Sequence, residues 1–106
     1  MQAKFTRWPG DLPPSVATLR EKLRSEPHNF LIWSNGPAVT YATHAHSYDK
    51  LLICLRGSIS FFLLDATEER VDLVAGDRLY LPAQTHHRAL VGPMGVECAE
   101  AHLLRR

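Results

Sequence analysis

The chain has 106 residues and a formal net charge of +1, from 12 Lys and Arg against 11 Asp and Glu. That length suits one domain over 1–106, with a core thin enough to gain from a partner subunit. The charge balance gives no electrostatic case for nucleic acid, and no apolar run approaches the roughly 20 residues of a membrane-spanning helix. The amino terminus lacks an apolar stretch of signal-peptide length, so a cytoplasmic protein is expected. Cys54 and Cys98 fit neither a disulfide framework nor a zinc spacing and are read as buried free thiols. Arg105 and Arg106 are read as a solvated tail.

Trp8-Pro9-Gly10 marks a turn, with Trp8 a candidate cap for an open end of the core. Pro13 and Pro14 suit the first turn of a helix, where a missing N–H costs nothing. Val16, Leu19 and Leu23 then recur at helical spacing until Pro27 stops the pattern. A short amphipathic helix over 16–26 is predicted, packed on the rest of the domain.

From there the chain reads as short strands separated by turn residues. Strands are predicted over 29–33, 39–46, 50–56, 59–64, 70–74, 78–81, 86–91 and 96–103. Gly36-Pro37, Gly57-Ser58, Ala75-Gly76-Asp77 and Gly92-Pro93-Met94-Gly95 mark turns between them. The strand over 50–56 is nearly all apolar, so both its faces should be covered. In the last strand Val96, Cys98, Glu100 and His102 share one face, and the alternation does not decide whether it points inward. Regular short strands with one helix argue for a small all-β sandwich or barrel.

The stretch Tyr41-Ala42-Thr43-His44-Ala45-His46 holds the chemistry. Side chains alternate along a strand, so His44 and His46 project to one face, about 7 Å apart. Two neutral imidazoles at that reach can share a transition-metal ion. A second segment, from Gly76 through Pro82 to His86 and His87, also ends in histidine. Adjacent strand residues face opposite ways, so His86 and His87 cannot easily serve one ion.

The spacing of these residues resembles the cupin superfamily of small β-barrels. Its first motif is His-x-His, a Glu a few residues on, and a Gly seven positions after that; His44, His46 and Gly57 match, and Lys50 stands at the Glu position. Its second motif is a Gly, five residues, Pro-x-Gly, two residues and a His; Gly76, Pro82 and His87 match, and Gln84 replaces the second Gly. The resemblance implies a double-stranded β-helix, or jelly-roll, barrel with one short N-terminal helix. It implies His44, His46 and His87 converging on a divalent transition metal (Fe, Mn, Ni or Zn); the motif count favours His87 over His86, which is then read as a residue supporting the ligands or at the rim. It also implies a homodimer, for which the two-faced apolar strand is suitable.

Two departures from the pattern bear on function. A Lys50 ammonium at contact range repels a cation by about 1–4 kcal/mol. Either it swings aside and three histidines hold the metal, or Asp49 supplies the carboxylate, or the metal is absent and Lys50 binds an anionic ligand itself. If the turn at Gln84 needs a positive φ, a non-Gly residue costs about 1 kcal/mol there. The expected function is a small metal-binding cupin acting on a small anionic molecule, of dioxygenase or isomerase type. The alternatives are a non-catalytic metal- or small-molecule-binding module, or packed histidines without metal. Lys50, Tyr48 and His102 are candidate substrate contacts, and Glu100 joins Tyr48 and His102 as a candidate general base.

Overall fold

A computed structural model of the chain describes residues 2–65 and 67–103. The elements are β1 (Lys4–Thr6), α1 (Val16–Leu23), β2 (Leu31–Asn35), β3 (Thr40–His44), β4 (Asp49–Leu63), β5 (Glu69–Val74), β6 (Arg78–Leu81) and β7 (His87–Leu103). The predicted tail at Arg105 and Arg106 lies outside the described residues. Among the described residues no helix is long and apolar enough to cross a membrane.

Four predicted strands merge into two. The segments 50–56 and 59–64 form one strand, β4, and 86–91 and 96–103 form one strand, β7. The two pair antiparallel along their whole length, from Asp49 opposite Leu103 to Leu63 opposite His87. Gly57 and Gly95, expected in turns, take φ of +76° and +78° within these strands. The pairing shifts register between Cys54 and Arg56 and between Gly57 and Ile59. Such irregularities bend a strand and raise its twist. The first half of β4 therefore pairs with β6, and the second half with β5. β7 likewise serves β2 on one half and β3 on the other. One continuous hydrogen-bonded sheet is thereby turned back on itself into two layers.

The core lies between the layers. Leu52, Cys54, Leu79 and Leu81 come from one half, and Ile59, Phe61, Leu73 and Val91 from the other. Each such aliphatic side chain, fully buried, contributes roughly 1.5–3 kcal/mol. Cys54 and Cys98 sit opposite each other in the ladder as buried free thiols, as expected. The outer face of β4 is covered by α1: Leu19 packs on Ile53, Leu55 and Ala99, with Trp8, Leu23 and Phe30 around them. This explains the two-faced apolar strand within one chain, and removes the ground for a homodimer that an uncovered face would give.

Ser15 caps α1, its hydroxyl accepting from the Thr18 N–H at 3.1 Å. The helix ends at Leu23 rather than 26 because Arg24, Ser25 and Glu26 donate to carbonyls three residues back, tightening the last turn. Strand β1 carries no periodic signal and is ordered by pairing with β6. Next to it, buried Asp77 accepts from the backbone N–H of Trp8 at 2.9 Å and of Val74 at 3.0 Å. That carboxylate ties the amino-terminal segment to the turn before β6.

A β-carbon on Gly57 would stand 2.0 Å from the Gly95 carbonyl oxygen, so backbone would have to move. Gly57→Ala should lower the unfolding free energy by more than ~2 kcal/mol in urea titrations. Ala38 is the opposite case, exposed at φ +61°. Ala38→Gly relieves the left-handed backbone at no packing cost, and the same titration should show a gain of about 0.5–1 kcal/mol.

Candidate metal centre

Strands β3 and β7 pair at the mouth of the barrel, with His44 directly opposite His87. Strand β3 stops at His44, short of the predicted end at 46, so His46 lies on the connection to β4. It is fixed there by the Gln84 N–H, which donates to the His46 carbonyl at 2.7 Å. Gln84 itself takes φ +67°, so the turn does require the left-handed backbone that glycine adopts freely. Asp49, buried, accepts from the Ala83 N–H at 2.7 Å. Its carboxylate braces the turn after Pro82, which answers the expectation that Asp49 might serve as a fourth ligand.

The three rings close on one point. Centroids lie 4.5 Å apart for His44 and His87, 4.7 Å for His44 and His46, and 5.4 Å for His46 and His87. One ring nitrogen from each falls within 4.8 Å of the others. His44 Nδ1 donates to the Ala42 carbonyl at 2.7 Å, and His87 Nδ1 to the Thr85 carbonyl at 2.8 Å. A carbonyl can only accept, so these bonds fix the tautomer and leave Nε2 with its lone pair. Burial, then the Lys50 charge, lowers the His46 pKa to about 4. Burial also lowers that of His87, against the opposing Thr85 bond. Both are therefore neutral, with lone pairs available, at neutral pH.

Lys50 is 8 % exposed and faces the same space. Its ammonium donates to His46 Nε2 at 3.1 Å and pairs with Glu100 Oε1 at 3.5 Å. Glu100 also accepts from Trp33 Nε1 at 3.2 Å and is bonded to His102 Nε2 at 2.9 Å. Burial works to raise the Glu100 pKa, but the His102 bond, Lys50 and Trp33 together outweigh it and hold the carboxyl below its ordinary value. His102 is half exposed and stacks on Tyr48 at 4.0 Å, and Tyr48 stacks on His46 at 4.9 Å. Behind the histidines lies a cavity of about 310 Å³ with Leu52, Ile59, Phe61 and Ala89 in its walls.

The structure thus brings together His44, His46, His87 and Lys50, and puts Tyr48 and His102 at the rim, where they touch the cavity through His46 and Glu100. His86 turns outward, exposed, 3.5 Å from Asp65. The even-numbered face of the last strand points inward: Cys98 is in the core and Glu100 in the cavity, while Ala99 packs under α1. Trp33, Tyr41 and Asn35 also line the cavity. Sequence reading gave them no role, because their placement depends on the registers of β2 and β3 against β7.

No family model and no curated protein matches this chain. Solved structures do. A DUF861 family protein from Thermotoga maritima is 17 % identical over 96 % of this chain and all of its own, with a TM-score of 0.65. A cupin-2 domain containing protein from Shewanella frigidimarina is 17 % identical, covering 67 % of this chain and 65 % of its own, with a TM-score of 0.56. A TDP-quinovose 3,4-ketoisomerase from Campylobacter jejuni is 18 % identical, covering 74 % and 63 %, with a TM-score of 0.64. The chain has the cupin fold, the jelly-roll barrel with one N-terminal helix that its motifs imply.

The lowered histidine pKa fixes a sign. Between about 6.5, the ordinary value, and about 4 the unfolded chain binds a proton at residue 46 that the folded chain does not. Unfolding is then favoured by acid, and stability rises with pH across that window. Chelator-treated protein should lose stability as pH falls from 6.5 to 4 in denaturant titrations. His46→Gln, which keeps an acceptor for Lys50, should flatten that slope.

Proposed function

We propose that this chain is a metal-dependent enzyme of dioxygenase or isomerase type, in which His44, His46 and His87 hold one divalent transition metal ion beside a small anionic molecule. The observation that carries this reading is the convergence of three ring nitrogens within 4.8 Å, two of the rings already locked by Nδ1 bonds to backbone carbonyls. That donor set fits a metal: neutral imidazoles suit Fe, Mn, Ni and Zn alike, and carbonyl-bonded rings are pre-oriented ligands. When bound, such an ion supplies a Lewis acid for a carbonyl oxygen or a site for a co-substrate.

The chain's own residues do the rest. Were His46 Nε2 to serve as a ligand, the Lys50 ammonium would turn from it to Glu100, which is already within 3.5 Å. Leu52, Ile59, Phe61 and Ala89 give the cavity an apolar wall, which strengthens charge interactions beside it. Tyr48 holds the His46 ring by stacking, and His102 carries Glu100 to the solvent edge. The ketoisomerase among the fold's members supports turnover over passive binding, although a barrel by itself selects no reaction.

Protein purified without a histidine tag should contain close to one equivalent of a transition metal by elemental analysis. His87→Ala should reduce that content at least ~10-fold, since even partners outside the ligand set change affinity that much. Metal retained in full by the variant would remove His87 from the ligand set. Oxygen uptake, against proton exchange next to a substrate carbonyl, then divides the two reaction types.

A further inference from the structure

Within the twelve side chains that line the cavity, Lys50 is the single lysine or arginine and Glu100 the single carboxylate. Their contact is loose. At 3.5 Å it is well beyond the 2.7–2.9 Å of a strong charge-assisted bond. Glu100 has partners besides it, because the Trp33 indole and the His102 ring each bond one of its oxygens. Lys50 has three N–H donors and two partners among the described residues, His46 and Glu100. One donor is left over, on a side chain that faces the cavity.

The charge count points the same way. The Lys50 and Glu100 charges are of opposite sign and lie side by side. The position that carries a carboxylate in the motif resembled by this sequence carries Lys50 instead. The lining therefore carries one carboxylate, already partnered, and one ammonium that an anionic ligand can approach.

The shape narrows the molecule further. The cavity is about 310 Å³ and open on one side, room for the body of a small molecule. Leu52, Ile59, Phe61 and Ala89 form its wall, and the Trp33 ring borders both that wall and Glu100.

We infer that the cavity selects a small monocarboxylate with an apolar or aromatic body, whose carboxylate takes Lys50 over from Glu100 while the body lies against Phe61 and Trp33. The inference rests on the reading of this cavity as the substrate site. Lys50 reads the anion, and Glu100 parks the ammonium when no ligand is present.

The test uses the full chain with ¹⁵N-labelled tryptophan, metal-free and zinc-loaded, titrated with benzoate, hexanoate and cinnamate and with neutral benzamide. The two tryptophans report separately. The Trp33 indole N–H touches Glu100, whereas that of Trp8 donates to the Leu12 carbonyl and serves as control. At least one carboxylate should shift the Trp33 signal and bind at least ~10-fold more tightly than benzamide. Replacing both charges, Lys50→Met with Glu100→Gln, should erase that preference without stranding a buried charge.

Equal binding of acid and amide overturns the inference, as does a preference that survives in the double variant, or no shift with any of the three acids. Zinc content measured on the same samples separates the two readings. A Lys50-dependent preference without zinc binding defeats only the metal assignment. Stoichiometric zinc without a preference defeats only the carboxylate assignment.

Discussion

Strands β4 and β7 run antiparallel for their full length, and both bend where a glycine takes a positive φ. The close approach of Gly57 to the Gly95 carbonyl leaves no room for a β-carbon, so this crossing is where the sheet can fold back on itself. Everything placed by the two halves follows from that bend. One half brings Lys50 and Glu100, the other brings His87 with His44 paired to it, and the cavity is the space where the halves diverge. The same pairing sends Ile53, Leu55 and Ala99 outward, where α1 covers them, so the short helix completes the hydrophobic accounting of the longest strands.

The electrostatic character of the site comes from burial acting on groups of opposite sign. Withdrawal from water favours the uncharged form of an imidazole, so His46 stays neutral and keeps a lone pair. The same withdrawal makes an unpaired ammonium or carboxylate costly, so Lys50 and Glu100 enter the cavity together. Lys50 joins the two systems, donating to a histidine on one side and facing a carboxylate on the other. A site of this kind differs from one whose ligand set includes its own carboxylate. Its charge is balanced before any cation arrives, and a cation unbalances it.

The backbone around the histidines is held by bonds between the two motif segments. Gln84 reaches the His46 carbonyl, and Asp49 reaches the Ala83 N–H, so each segment positions the other. These bonds make the strained φ at Gln84 sustainable: a left-handed residue costs about 1 kcal/mol, against the Gln84 and Ala83 N–H groups satisfied by the arrangement.

The spacing of His44, His46, Pro82 and His87, the helical repeat of Val16, Leu19 and Leu23, and the alternating strands were legible because each is a local property. Period, turn chemistry and metal-donor type are set within a few residues. The cupin barrel followed from two such local patterns in the right order. What tertiary structure alone decided was non-local. Gly57 and Gly95 look like turn residues in sequence, and only their mutual packing makes them bends within continuous strands. Glu100 could have faced water or the cavity, and pairing with Leu52 and Leu31 turned it inward. Trp33 had no signal at all until the register of β2 against β7 set its indole on that carboxylate. A one-residue slip in register moves every side chain to the opposite face, and that choice is made by contacts dozens of residues away, not by neighbours in the chain.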